Sequence, residues 1–298
     1  KKSGWEIDAL TTTAGAHDVI VDHCSFSWAT DENLSASGPR FEGATPDEWR
    51  RHTSHRITFS NNIIAEGLAR STHAKGEHSK GMLIHDNVSD VLIVGNLFAH
   101  NMERSPLFKG GARGAVVNNL IYDPGPRAMH YNLIAEEWRG YDYQYGEMTV
   151  IGNVLMAGPS TPSDLALLML GGSGDVELYA EDNIAVDRLG RPLEQLGRYT
   201  TSPASFVRVR KPRLPSVLTI LPSKEVQDAV IRNAGARPWN RDEIDQRIVA
   251  DVIEGRGGVI DSEQDVGGYP VHSETRQPFD PAAWDLDTMT PRSGMQGT

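Results

Sequence analysis

A short pattern of a polar residue, an Asn and two apolar residues recurs along the first two thirds of this 298-residue chain. Its aligned positions are Cys24, Asn62, Asn96, Asn119, Asn153 and Asn183. The successive steps between them are 38, 34, 23, 34 and 30 residues. The smallest step suits one coil of a solenoid, and the larger steps suit a coil that carries an inserted loop.

A repeated Asn has a physical use at a strand-to-strand corner. Its amide can hydrogen-bond the equivalent residues above and below, and Asn tolerates the left-handed backbone of a sharp bend. The apolar neighbours would then fill a continuous interior in which each coil covers the next. We therefore predict an all-β fold, a right-handed parallel β-helix. An antiparallel sandwich also has short strands between turns, but its hairpins rarely repeat one Asn at one corner.

The repeat pattern ends near Asp187, and the sequence changes character beyond it. Residues 202–222 are basic and interrupted by Pro, which indicates extended chain, and two amphipathic helical patterns follow. Asn240 and Glu243 predict a capping box for a helix over 242–254, which Gly255 ends. We predict that residues 1–187 form the β-helix and residues 188–298 an extended and helical strap packed on it.

The charge balance limits the possible partners. The chain has 29 Lys and Arg against 40 Asp and Glu, a formal net charge of −11. Nucleic acids and anionic membranes need a broad basic surface, so we expect neither as a partner. A polyanionic substrate would need local Lys and Arg residues or a bound cation. Cys24 is the only cysteine, which excludes an intramolecular disulfide and a Cys-based zinc site.

Acidic residues concentrate in the opening coils. They are Glu6, Asp8, Asp22, Asp31 and Glu32. Residues one coil apart in a β-helix lie about 4.8 Å from each other, so Asp8 and Asp31 can converge although 23 positions separate them. Carboxylates gathered in this way suit Ca²⁺, which takes oxygen ligands without strict geometry. The alternative is a solvated acidic turn.

Basic residues form two further groups. Lys80 stands directly before an apolar strand, and Arg104 and Lys109 flank Pro106 ahead of a Gly-Gly turn. Arg113 follows that turn and could add a cation or be ordinary surface. An Arg acts as a base only near other cations and facing an acidic C–H. Equally, Arg104 could pair with Glu103 or another carboxylate as a structural residue.

Histidines are frequent in the middle of the chain. They include His73, His78, His85, His100 and His130. Because no metal-ligand spacing links them, we interpret them as hydrogen-bonded surface or corner residues.

Three segments, taken in order, resemble the pectate lyases of polysaccharide lyase family 1. Residues 21–32 (VDHCSFSWATDE) look like that family's signature strand and calcium-site stretch, and 60–62 (SNN) look like its next coil. Residues 104–109 (RSPLFK) look like its Arg-x-Pro-x-x-Arg motif. The resemblance covers roughly residues 5–125 and implies a right-handed parallel β-helix that cleaves 1,4-linked uronate chains by β-elimination.

The resemblance also implies roles for individual residues. Arg104 would be the base that removes the C5 proton, and Lys80 falls where the family carries a substrate-binding Lys in the catalytic centre. Lys109 would bind substrate in place of the family's second Arg, with Arg113 beside it. Asp8 and Asp31 match calcium-ligand positions, and Glu6 approaches another.

Two departures modify this expectation. Lys109 keeps the charge of the family's Arg but loses its bidentate grip on a carboxylate. Ser35 stands where many relatives have a second acidic ligand, which leaves three alternatives: Ca²⁺ binds weakly, it arrives with the substrate, or Glu32 completes its site. The family also has N-terminal coils that would precede Lys1.

The expected partner is an acidic polysaccharide, bound by a monomer that is secreted or periplasmic. Two other functions stay open. A glycoside hydrolase of the β-helix class needs paired carboxylates as acid and base, whereas the sequence has no Asp-Asp pair and no His-Gly dipeptide. A non-catalytic, carbohydrate-binding β-helix is the third possibility.

Overall fold

Short strands recur along the chain and pair with strands one coil before and one coil after them. The computed structural model describes residues 6–215, 217–271, 273 and 279–292. The chain divides into two compact units, residues 1–268 and 269–298. Among the described residues of the first unit, the strands form three parallel sheets whose strand order follows the chain.

The first sheet carries most of the charged residues singled out above. Its seven strands are β1 (Leu10–Thr12), β4 (Glu32–Ala36), β7 (Lys80–Ile84), β10 (Leu107–Lys109), β13 (Met129–Leu133), β16 (Leu168–Gly172) and β19 (Leu196–Arg198).

The second and third sheets complete each coil. The second contains β2 (His17–Asp22), β5 (His55–Ser60), β8 (Ser89–Val94), β11 (Arg113–Val117), β14 (Gly146–Ile151), β17 (Val176–Glu181) and β20 (Phe206–Arg208). The third contains β3 (Ser25–Ser27), β6 (Ile63–Ala65), β9 (Leu97–Ala99), β12 (Leu120–Tyr122), β15 (Val154–Met156) and β18 (Ile184–Val186). The predicted parallel β-helix is confirmed.

An Asn ladder connects the coils at the corner before the third sheet. The backbone N–H and the Nδ2 of each ladder Asn both donate to Oδ1 of the next ladder Asn, at 2.9 or 3.0 Å. The ladder consists of Asn62, Asn96, Asn119, Asn153 and Asn183. At its start the N–H of Cys24 donates to Asn62 Oδ1. The stacked amides predicted from the repeat are therefore present.

Alternating residues of the third sheet face two different apolar layers. Ile64 and Phe98 point into the solenoid core, whereas their neighbours Ile63 and Leu97 point outward. Both sets are fully buried, and each such side chain stabilises the fold by about 1.5–3 kcal/mol. The outward layer is buried because two helices of the C-terminal part cover it.

These helices are the helical part of the strap. The helix α2 (Ser223–Asn233) contributes Val226 and Val230, and α3 (Glu243–Glu254) contributes Ile248 and Val252. Asp242 caps α3 by accepting from the N–H groups of Ile244 and Asp245, so Asn240, the predicted cap, is not the capping residue. Gly255 ends the helix as predicted, in a left-handed conformation with φ of 69°.

The remaining elements are short. The helix α1 (Pro46–His52) follows β4 and begins with a capping box between Thr45 and Glu48. A 3₁₀ turn spans Glu263–Val266. The second unit contains a 3₁₀ turn at Pro281–Ala283 and an antiparallel pair of strands, Trp284–Asp285 and Thr290–Pro291. No helix in the described parts of the chain is long and apolar enough to cross a membrane.

The stack continues beyond residue 187, where the sequence pattern placed the end of the β-helix. The strands β19 and β20 lie on β16 and β17 and start a further coil. The Asn signature stops one coil earlier, at Asn183, because the described residues of this last coil form no strand in the third sheet.

Replacing Asn119 with Ala tests the ladder. The change leaves the buried N–H of Asn96 without its acceptor and removes the hydrogen bonds that the Asn119 amide donates to the Ile93 carbonyl and to Asn153 Oδ1, and each unpaired buried group costs about 1–3 kcal/mol. We expect the free energy of unfolding, measured by chemical denaturation, to fall by about 2–4 kcal/mol. The matched control is Asn240→Ala at an exposed position, which should change it by less than about 0.5 kcal/mol. Equal effects of the two substitutions would contradict a structural ladder.

Candidate active site

Charges of alternating sign lie side by side across three coils of the first sheet. Glu32 pairs in register with Lys80, and Lys80 forms a bridge with Glu103. Glu32 and Glu103 are 71 positions apart in sequence, yet both lie next to Lys80 at the same edge of the sheet. They do so because every coil returns the chain to the same place. Arg104 follows Glu103 directly, so both signs of charge meet at one surface.

An acidic group forms the first part of this surface. Carboxylate oxygens of Asp8, Asp31 and Glu32 all lie within 4.8 Å of one another. Asp8 accepts from the N–H of Glu32 at 3.2 Å and from the hydroxyl of Ser35. Burial raises the pKa of Asp8, the Ser35 hydrogen bond opposes that shift, and the negative charge of Asp31 adds to it. Asp8 and Asp31 therefore converge as expected, and their negative charges lie close together.

Arg104 faces the acidic group. Its Nη1 pairs with Glu32 Oε1, and 23% of its side chain is exposed. Burial lowers the pKa of the Arg104 guanidinium, Asp31 and Asp8 oppose that shift, and the positive charge of Arg127 supports it. Arg104 therefore forms an ion pair, which was the structural alternative to a role as base. Its partner is Glu32, one of the proposed metal ligands, and not the neighbouring Glu103.

Lys80 lies in a compact ionic group with Glu103. Its Nζ donates to Glu103 Oε1, and only 7% of its side chain is exposed. The Nε of Arg127 donates to Glu103 Oε2 at 2.6 Å. Burial works to raise the pKa of Glu103, but Lys80, His130 and Arg127 outweigh it and lower that pKa to about 2. Glu103 is therefore held as a carboxylate that neutralises two cations.

Arg127 is a functional candidate that the sequence analysis missed. It lies one coil after Arg104, and its Cζ stands 4.8 Å from the centre of the Tyr199 ring. The 23-residue step that relates Asp8 to Asp31 also relates Arg104 to Arg127. That repeated step was the available signal, although nothing in residues 124–128 resembles a motif.

Lys109 lies in a second ionic group at the other end of β10. Its Nζ pairs with Glu137 and stands 3.3 Å from Asp86 Oδ2. Asp86 is completely buried and also accepts from Arg40 Nε at 3.0 Å and from Trp138 Nε1 at 2.7 Å. The charge of Lys109 is therefore matched by two acids that the sequence analysis did not identify.

Arg113 is not brought together with Arg104 or Lys80. It begins β11 in the second sheet, and its Nε lies 3.0 Å from Glu147 Oε1. Arg213 Nη1 lies 2.6 Å from the other oxygen of Glu147. These residues line a groove of about 500 Å³ on the outer face of that sheet.

Two histidines meet Asp31, contrary to the interpretation that no metal-ligand grouping links them. His78 Nε2 lies 2.6 Å from Asp31 Oδ1, and His73 Nε2 lies 3.4 Å from Oδ2. Burial opposes a low pKa for Asp31, but the His78 hydrogen bond and the charges of His78, His73 and Arg104 lower it to about 2. Glu6 contacts His73 and lies outside the group of Asp8, Asp31 and Glu32.

The chain is similar to curated fungal proteins named "Probable pectate lyase C". The Aspergillus fumigatus protein is 28% identical over 266 residues, which are 88% of this chain and 55% of that protein. The Aspergillus flavus protein is 30% identical over 260 residues, 86% of this chain and 54% of that protein. The predicted relationship to pectate lyases is therefore confirmed. The chain spans about half the length of these relatives.

The chain was also compared with solved structures and with protein-family models. A solved structure of the thermostable pectate lyase PL 47 is similar with a TM-score of 0.40 and 15% identity, covering 76% of this chain and 63% of that one. No protein-family model matches the sequence.

Replacing Lys109 with Met tests whether this residue neutralises buried acids. The change removes the ammonium that Asp86 and Glu137 share, but Arg40 still pairs with both acids, so the cost is smaller than the about 3–5 kcal/mol of a buried charge left unpaired. We expect the free energy of unfolding to fall by about 2 kcal/mol in a denaturant titration. Arg191→Met, which removes an exposed pair with Asp187, is the control and should cost less than about 1 kcal/mol. A Lys109 variant as stable as the parent would contradict a neutralising role.

Proposed function

We propose that this chain is the catalytic part of a pectate-lyase-type enzyme that cleaves 1,4-linked uronate chains by β-elimination. The observation that carries the proposal is the position of Arg104, whose guanidinium pairs with Glu32 directly beside the carboxylates of Asp8 and Asp31. A strong base and a cation-binding acidic group are the two parts that abstraction of a proton next to a carboxylate needs. The similarity to pectate lyase sequences supports the same chemistry.

The acidic group fits Ca²⁺. Three carboxylates within 4.8 Å of one another provide oxygen ligands on a surface that is partly buried, and Ca²⁺ completes its shell of 6–8 oxygens with water or substrate. Burial is the main cause of the raised pKa of Asp8, and the negative charge of Asp31 adds to it, so a nearby cation would favour the ionised carboxylate. Bound Ca²⁺ would neutralise a substrate carboxylate and so make the adjacent C5–H more acidic.

Arg104 would accept the C5 proton in its uncharged form. The electron pair of the C5–H bond forms the C4=C5 double bond, the C4–O bond breaks, and the leaving oxygen takes a proton from solvent. Burial and Arg127 both favour the uncharged guanidine, whereas the pair with Glu32 favours the charged one. Glu32 cannot fully serve Arg104 and a cation at once, so its engagement as a metal ligand would favour the base.

Lys80 and Arg127 would hold substrate carboxylates near Arg104. Both already bind a carboxylate, that of Glu103, and 27% of the Arg127 side chain is exposed. Lys109 and Arg113, which the sequence analysis placed with the substrate, are outside this proposed centre because of their positions: Lys109 pairs with Asp86 and Glu137 at the far end of β10, and Arg113 lies in the second sheet. Polysaccharides of 1,4-linked uronates are found outside the cell membrane, so we propose that the enzyme is secreted or periplasmic.

Arg104→Ala and Arg104→Lys test the base. With polygalacturonate, Ca²⁺ and the full-length protein, we expect the parent to release unsaturated uronates that absorb ultraviolet light. Both substitutions should lower the rate at least about 10²-fold, because a general base contributes about that much. A chelator should abolish product formation, and added Ca²⁺ should restore it.

Arg191→Ala, at an exposed arginine, is the control and should keep the parental rate. Reducing ends formed without ultraviolet absorbance would identify a hydrolase instead. Binding of the polymer without any cleavage would identify a non-catalytic protein. Either result contradicts the proposed elimination.

A further inference from the structure

Two imidazole rings converge on one carboxylate beside the proposed active site. Ligand atoms of Asp31, His73 and His78 lie within 4.8 Å of one another. The two rings are stacked, with centroids 3.7 Å apart and an angle of 11° between their planes. Both turn Nε2 toward Asp31, His78 to Oδ1 and His73 to Oδ2. Three donors of metal-ligand type therefore lie together, and because an imidazole lone pair lies in the ring plane, one ring would turn out of the stack when both bind one ion.

One of these donors is buried without a hydrogen bond. His73 has no exposed side-chain surface, and its Nε2 makes no hydrogen bond to any described residue. A buried polar atom in this state costs about 1–3 kcal/mol, so native proteins seldom contain one without a reason. The nitrogen faces the other two donors, and a cation placed among them would satisfy it.

The surroundings of His73 supply an outer partner for a metal-bound ring. Its Nδ1 accepts from the N–H of Lys75 at 3.1 Å, so without metal the ring proton lies on Nε2. A metal on Nε2 requires the other tautomer, with the proton on Nδ1. Glu6 Oε1 lies 3.8 Å from Nδ1 and can take that hydrogen bond after a small movement. A carboxylate in this place is the usual outer partner of a metal-binding histidine.

We propose that Asp31, His73 and His78 bind a divalent transition-metal ion of the Zn²⁺ type. Imidazole nitrogen suits Zn²⁺, Cu²⁺ and Ni²⁺, whereas Ca²⁺ takes oxygen ligands, so this site differs in selectivity from the oxygen site of Asp8, Asp31 and Glu32. Three protein ligands leave a fourth position for water or a substrate oxygen. Because Asp31 belongs to both sets, a metal on the imidazoles changes the oxygen ligands that face Arg104.

Titration of the metal-free protein with Zn²⁺ and Co²⁺ tests the site. Calorimetry should give one Zn²⁺ per chain, and Co²⁺ should produce the visible absorption bands of a nitrogen-ligated ion. His73→Gln and His78→Gln should each weaken Zn²⁺ binding at least tenfold and change Ca²⁺ binding by less than that, since Ca²⁺ takes oxygen ligands and meets the imidazoles only through Asp31. The control is His23→Gln, a partly exposed histidine that lies 2.6 Å from Asp22, and it should bind Zn²⁺ as the parent does.

Parental Zn²⁺ affinity in both histidine variants, or no Zn²⁺ binding by the parent, would overturn the proposal. Diffraction at the zinc absorption edge from parental crystals soaked in Zn²⁺ gives an answer even if a variant fails to fold. A peak about 2.0–2.1 Å from nitrogens of His73 and His78 supports the site, and a peak elsewhere or none overturns it.

Discussion

The in-register stacking of coils is the constraint on which the site depends. Parallel strands in neighbouring coils lie about 4.8 Å apart, and the Asn ladder aligns successive coils at the corner before the third sheet. Glu32, Lys80 and Glu103 are neighbours only because two complete coils, with loops of different length, return to the same register. A slip of one residue would turn one of these side chains to the opposite face of the sheet.

The charged residues around Arg104 neutralise one another in pairs. Glu103 neutralises Lys80 and Arg127, and Glu32 neutralises Arg104. Asp8 and Asp31 are then the carboxylates with least compensation from Lys or Arg, and Asp31 has the imidazoles of His73 and His78 beside it. The negative charge that a cation would neutralise therefore lies mainly on Asp8 and Asp31. The proposed base, Arg104, is paired with Glu32.

The sequence allowed the coils and part of the cleft to be predicted because their causes are local. A ladder Asn stands in a recognisable four-residue pattern, and the coil from β1 to β4 takes 24 residues without a large insertion, which brings Asp8 beside Asp31 and Glu32. The partners of Lys109, the position of Arg113 in the second sheet and the meeting of His73 with Asp31 depend on loops whose paths no repeat specifies. The stack also continues beyond the last ladder Asn, since β19 and β20 pair with β16 and β17 and their Leu196 and Phe206 pack against the core.

The central claim is that Arg104 and a cation share Glu32, and calorimetric Ca²⁺ binding to an Arg104→Gln variant tests it most directly. Removing the guanidinium frees Glu32 as a ligand and removes a nearby positive charge. The account predicts that the variant, once shown to be folded, binds Ca²⁺ at least tenfold more tightly than the parent, a gain of about 1.4 kcal/mol or more. Equal or weaker binding would contradict it.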